Sequence, residues 1–176
     1  MDETRVGQQG RLTQVWAPRG SRPRMVLQTQ YKWGYVYGAV NPLTGQSSAL
    51  IAPRVDTQLM GEFLAVMSAE LDPDAHAVLV LDGAGWHKAK GLVVPGNITL
   101  LFLPPYAPEL MPMERIWLWM KQQHLSNRIF KDEAEIDAAC GQSWRSLDPE
   151  RIKTVAAEPW VSELGELPAL AGREVD

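Results

Sequence analysis

Two short apolar runs limit this chain's fold more than anything else in it. Ala77-Val78-Leu79-Val80-Leu81 and the stretch Ile98 to Leu103 lack the regular polar alternation of a strand with one wet face. Such runs suit strands covered on both sides. Only a short helical or irregular connection, Trp86 to Pro95, lies between them, which predicts parallel neighbours at the centre of a sheet.

The remaining segments fit around that centre. Thr13 to Trp16 reads as a short strand before the turn Pro18-Arg19-Gly20, with Met25 to Gln28 pairing back. Tyr35 to Val40, the turn Asn41 to Gly45 and Gln46 to Ile51 form a hairpin. From Asp56, a natural N-cap, the residues Leu59, Met60, Phe63, Leu64, Met67 and Leu71 recur at helical spacing, and Asp72-Pro73 ends that helix. Pro112 suits the first turn of another helix, whose apolar stripe is Met113, Ile116, Trp117, Met120 and His124. Asp132 with Glu135 is a capping-box pattern, Asp148-Pro149 opens a last short helix, and an acidic tail follows Pro159. The order β, β, β, α, β, β, α, α predicts an α/β fold. Strands 35–40, 46–51, 77–81 and 98–103 are expected in one mixed sheet flanked by helices.

A chain of 176 residues, 45% of them hydrophobic, supports one domain with a substantial core. It has no charged and apolar leader and no run near the ~20 residues of a membrane span, so no membrane partner and a cytoplasmic location are expected. The single cysteine, Cys140, sits in an apolar helical context and reads as core. A net charge of -4 argues against a nucleic-acid partner until its distribution is seen. Residues 1–32 hold six basic and two acidic side chains (net +4), whereas residues 131–176 hold five and eleven (net -6). Phosphate attraction depends on the local field, so Arg19, Arg22 and Arg24 are candidate DNA contacts. A solvated arginine-rich hairpin is the equal alternative.

Acidic residues stand where strands end or helices begin. Asp82 follows the first apolar run and precedes Gly83-Ala84-Gly85; it reads as a ligand-binding residue at a strand end or as the cap of a turn. Glu114 lies about 100° around the helix from Met113, beside the buried stripe. Glutamate in a first turn is also favoured by the helix dipole alone. The linker Leu103 to Leu110, rich in proline, ties the second apolar run to that helix, and 31 residues separate Asp82 from Glu114. Asp2 completes a set of carboxylates from separate segments. Two divalent cations need such hard oxygen ligands to drive attack on a phosphodiester. Glu3 would point to the opposite face of a strand from Asp2. His87 and Lys88 could meet DNA phosphate or assist near Asp82, and an exposed helical turn explains them equally. His124 reads as structural. Trp16, Trp33 and Trp86 read first as core and second as platforms for base stacking.

Three strings together carry a family resemblance: Asp2-Glu3; Asp82 with His87-Lys88; and Pro104 to Glu114 with Trp117. The pattern resembles the catalytic domain of mariner-like DDE transposases of bacterial insertion sequences, which use a ribonuclease-H-like fold. The likeness covers residues 1 to about 125, leaving 126–176 as C-terminal helices and tail on the same domain. It implies that Asp2, Asp82 and Glu114 bind two Mg²⁺ or Mn²⁺ ions. It further implies that the partners are transposon-end and target DNA, that the chain acts as a homodimer on DNA, and that it is nucleoid-associated when bound. The family usually has asparagine where this chain has Met111. The resemblance also implies a first strand ending at Asp2-Glu3, partly or wholly missing here, and a helix-turn-helix region not found in the chain. A downstream reading frame and a truncated remnant both fit. The alternatives to DNA nicking and strand transfer are an impaired fragment acting by DNA binding or dimerisation, and a nuclease without strand transfer.

Overall fold

A computed structural model describes residues 1–10, 12–105, 107 and 110–166, without the side chains of Ser162 and residues 164–166. Arg11, Tyr106, Pro108, Glu109 and the acidic tail from residue 167 lie outside the described residues. The elements run β1 (Asp2–Gly7), β2 (Trp33–Val40), β3 (Ser47–Ala52), α1 (Thr57–Glu70), β4 (Ala77–Leu81), β5 (Ile98–Phe102), α2 (Pro112–Met120), α3 (Glu133–Arg145), α4 (Pro149–Val155) and α5 (Pro159–Glu166). A π-helical turn, Lys121–Leu125, continues α2.

The helix starts follow from their caps. The Asp56 carboxylate accepts from Leu59 N at 2.8 Å, Asp132 from Glu135 N at 3.0 Å, and Asp148 from Arg151 N at 2.7 Å. Each satisfies one amide that the helix leaves without a partner. The Glu135 carboxylate reaches back to Lys131 N at 2.8 Å, one residue before the reciprocal bond of a capping box.

β1, β2 and β3 form an antiparallel sheet, with Asp2 opposite Gly38 and Val40 opposite Ser47. β4 and β5 are parallel, Ala77 opposite Ile98 and Leu81 opposite Phe102, as their composition predicts. The expected single sheet is not formed. Among the described residues the hydrogen bond that joins the two sheets is from the Met1 terminal nitrogen to Val80 O at 2.7 Å, and one hydrogen bond does not make a ladder. The first strand also differs from the resemblance. It continues past Asp2-Glu3 to Gly7, because Thr4 and Val6 turn inward while Arg5 stays exposed, an alternation hidden in a polar-looking string.

β2 is covered on both faces, with Val36 and Tyr37 both fully buried. On one side Val36 and Val6 meet Met113, Ile116, Trp117, Phe130, Ile136 and Ile152 from the later helices and their connections, with Cys140 in the same core. On the other, Tyr37 and Ala39 meet Met60, Phe63 and Leu64 of α1 and Leu79 and Leu81 of β4. The small parallel sheet buries only one face: Leu79, Leu81 and Ile98 are inside, whereas Val78 and Leu101 are more than half exposed.

Residues 12–32 contain no helix or strand, contrary to the strands expected at 13–16 and 25–28. A two-stranded ribbon there has no surface against which to bury its apolar side chains, and Trp16, Val26 and Tyr31 are exposed. Side-chain bonds hold the segment instead. Gln28 pairs with Phe130 through both its amide groups at 2.7 Å, and Asn127 Nδ2 donates to Thr13 O at 3.1 Å. α5, too, was not apparent from the acidic composition after Pro159. Among the described residues, no helix is long and apolar enough to cross a membrane.

Candidate active site

Asp2 at the start of β1, Asp82 just past β4 and Glu114 in the first turn of α2 line one cleft of about 470 Å³. Local bonding explains how they come together. The Met1–Val80 bond sets Asp2 beside the end of β4. The parallel ladder runs one residue further, Leu103 N donating to Leu81 O at 2.9 Å, and delivers Pro104 and Pro105 to the cleft wall. Pro112 then opens α2, with Glu114 N donating to Met111 O at 3.1 Å. Met111, buried, lines the cleft at the place where the resemblance has asparagine.

Asp2 is held by Trp117, whose indole N–H donates to Oδ2 at 2.9 Å. Gly38, opposite Asp2 in the sheet, makes room for that ring: a Cβ there would lie 2.5 Å from the Trp117 side chain and 2.9 Å from Met113. Burial pushes the Asp2 carboxyl up to about 6, aided by the Glu114 and Glu3 charges and opposed by its hydrogen bonds from the Glu3 amide and Trp117. Burial also lowers the Met1 ammonium to about 6, against the pull of Asp2, Glu3 and Asp82.

Asp82 is more than half exposed; its Oδ1 accepts from Ala84 N at 3.0 Å and lies 2.9 Å from His87 Nδ1, whose hydrogen bond goes to Asp82 O at 3.2 Å. It therefore caps the turn that follows β4 and faces the cleft as well. His87 is buried, with Nε2 2.9 Å from Glu3 Oε1. Trp86 Nε1 donates to the same oxygen at 3.3 Å. Burial opposes the imidazolium, but the Glu3 hydrogen bond and charge, with Asp82, raise its pKa above the ordinary value. Of the two expectations for His87, phosphate contact does not suit a side chain enclosed in this way. Its neighbour Lys88 does reach the cleft, its ammonium 5.0 Å from the Phe102 ring centroid. Arg19, Arg22 and Arg24 are exposed on the irregular segment and do not line the cleft. Glu114 is exposed, and its side chain has no hydrogen bond or ion pair among the described residues.

Two contributors escaped the sequence reading. Glu3 was set aside for pointing away from Asp2, yet it anchors the histidine that holds Asp82. Trp117 was counted as apolar stripe, although an indole three residues after Glu114 also carries a donor. Trp16 is fully exposed rather than core, and Trp33 is half-buried with the Arg5 guanidinium 4.0 Å from its ring centroid. His124 is half-buried against Trp119, consistent with a structural role.

Three carboxylates, one of them carrying a raised pKa beside another acidic side chain, are a donor set suited to a hard divalent cation. Among the described residues, however, no three His, Cys, Asp or Glu side chains already stand close enough together to hold an ion.

A family model for DDE superfamily endonucleases matches residues 1–137. The uncharacterized protein y4pE/y4sA of Sinorhizobium fredii (strain NBRC 101917 / NGR234) is 46% identical over 130 residues, 73% of this chain and 96% of that protein. Among solved structures, the Mos1 mariner paired-end complex with Mn aligns over 88% of this chain at a TM-score of 0.66 and 14% identity. The Mos1 strand transfer complex aligns over the same share at 0.61 and 14%. This chain spans about half the length of those two, 50% and 48% respectively, and identities this low show a shared fold alone.

Proposed function

The chain belongs to the DDE superfamily of endonucleases, and from that premise we propose that it nicks DNA and joins the freed end to target DNA as the catalytic part of a mariner-like transposase. The observation that carries this reading is the meeting of Asp2, Asp82 and Glu114 in one cleft, from three elements distant in sequence. The match to Mos1 complexes supports the fold on which that cleft is built.

In this reading Asp2, Asp82 and Glu114 hold two Mg²⁺ or Mn²⁺ ions. The bound ions would supply Lewis acidity and lower the pKa of an attacking water and, later, of the freed 3′-hydroxyl. The protein's own groups do the positioning. Trp117 keeps the Asp2 carboxylate turned toward the cleft, the Ala84 amide bonds one oxygen of Asp82 with His87 placed against it at 2.9 Å, and the Lys88 ammonium offers a charge for a backbone phosphate. Arg19, Arg22 and Arg24 extend the basic surface along the irregular segment for DNA outside the cleft. Recognition of transposon ends, transfer into target DNA and a homodimer on DNA belong to this proposal.

A second reading, a catalytically impaired fragment acting by DNA binding or dimerisation, draws on the lack of a ready-made three-ligand cluster among the described residues. One experiment separates the two. The protein, incubated with nicked and intact duplexes carrying candidate transposon ends, is expected to cleave only with Mg²⁺ or Mn²⁺. Asp82→Asn and Glu114→Gln should abolish cleavage while leaving folding and DNA binding intact, because neither opens a core cavity. Asp132→Asn, which touches only a helix cap, should still cleave. Nicking that persists in chelator rejects the mechanism, and DNA binding without cleavage under any metal condition supports the fragment.

A further inference from the structure

Glu3 and His87 are enclosed polar side chains next to the cleft, and neither lines it. His87 Nδ1 lies 2.9 Å from Asp82 Oδ1 and 3.2 Å from Asp82 O. Both are acceptors, so this nitrogen carries the hydrogen. The other ring nitrogen is fixed by Glu3 Oε1, which the Trp86 indole also holds. The approaches of Ala84 N and His87 Nδ1 to the Asp82 carboxylate both fall on Oδ1, and among the described residues Oδ2 has no hydrogen bond.

We infer that Glu3 and His87 form a positioning pair that fixes the Asp82 carboxylate for a cation in the cleft. A carboxylate ligand held through one oxygen loses little freedom when the other takes a cation, and such supporting partners typically change metal affinity by about 10–100-fold when removed. The pair also solves an electrostatic problem. An imidazolium by itself would compete with the cation for Asp82, and the Glu3 carboxylate on the other ring nitrogen offsets that charge. β1 thus contributes to the site on both faces: Asp2 lines the cleft, and Glu3, next in sequence, supports Asp82 from behind.

This inference rests on Asp82 being a cation ligand, and its test is chosen to separate the two. Mn²⁺ binding to the full chain is measured by electron paramagnetic resonance, without DNA and without turnover, at a temperature where thermal melts show each variant folded. Glu3→Gln keeps an acceptor for Trp86 but removes the charge, and His87→Gln removes the ring; each should raise the Mn²⁺ Kd about tenfold. Asp82→Asn should raise it further. A role confined to stability would lower the melting temperature and leave the Kd unchanged. If Asp82→Asn weakens binding and the Glu3 and His87 variants do not, the positioning role is overturned while the cation reading stands; an unchanged Kd in Asp82→Asn overturns both. Should the buried substitutions fail to fold, the wild type decides: saturating Mg²⁺ should move the imidazole ¹⁵N resonances of His87, and unmoved resonances overturn the inference.

Discussion

The two sides of the cleft are built differently. On the sheet side, Asp2 accepts from the Trp117 indole, and Asp82 is bonded through its backbone oxygen to the enclosed His87, whose Nδ1 also lies 2.9 Å from the carboxylate. On the helix side, Glu114 is exposed, and its side chain has no hydrogen bond or ion pair among the described residues. The sheet side is preorganised at the cost of burying a carboxyl whose pKa rises to about 6, while the helix side keeps its freedom. In the proposed cation site Asp2 and Asp82 would be two fixed ligands and Glu114 one that can move to close on the cation, which agrees with the absence of a closed ligand cluster among the described residues.

Single-residue changes can break or sharpen that contrast. The largest effect is expected from Asp82→Asn, which keeps the Oδ1 acceptor for Ala84 but removes the charge; the nicking rate should fall by about 10³-fold or more. Glu114→Gln should fall as far, since freedom to move does not make a ligand dispensable. A Glu114→Gln protein with full nicking activity would move the site to the sheet side alone.

Asp2 offers a test of the cost of preorganisation. Its folded pKa, about 6, is above the ordinary carboxylate value, so the folded state favours the protonated form. The associated stability is fully present below about pH 4 and is lost as the pH rises through about 6. A shift of two units sets an upper limit of about 3 kcal/mol. In chelator, Asp2→Asn should therefore be more stable than wild type at pH 7, with the gap closing by pH 4, and should be inactive. Equal denaturant midpoints at both pH values would show that Asp2 carries no such strain.

Gly38→Ala should destabilise the protein by about 1–3 kcal/mol, since the added methyl meets Trp117, Met113 and Trp144. If the ring shifts to relieve the contact, Asp2 loses its donor, and nicking should fall together with stability. Trp117→Phe isolates that bond, keeping most of the ring volume without the N–H. A nicking loss of about tenfold is expected, and near-normal activity would make the sheet side less organised than its geometry implies. Smallest of all, Lys88→Ala should weaken DNA binding by about 1 kcal/mol at low salt and lower the salt slope by roughly one, with no effect on melting.

Much of this arrangement is legible in the string of residues because it depends on local chemistry. Asp56, Asp132 and Asp148 cap the helices they were expected to cap, and β4 and β5 pair in parallel. The reading failed where local pattern and tertiary environment part company. Thr13 to Trp16 has strand composition but no surface to cover, so it remains irregular and exposed. Asp2 to Gly7 looks polar but becomes a strand, because β2 offers it a ladder and α2 and α3 pack against its inward face. The gap between the two sheets was equally invisible, since composition does not say which strand edges meet.

The sequence by itself determined which residues carry hard-oxygen chemistry and where the helices and the parallel pair begin, since capping, proline geometry and apolar runs act over a few residues. Only the tertiary structure decided what orients those acids. Glu3 and His87 stand far apart in the chain, as do Asp2 and Trp117, and their bonds form only once β1 has been laid between the end of β4 and the start of α2. A hydrogen bond needs its partners within about 3 Å, and a linear string of residues carries no information about that distance until the chain has folded.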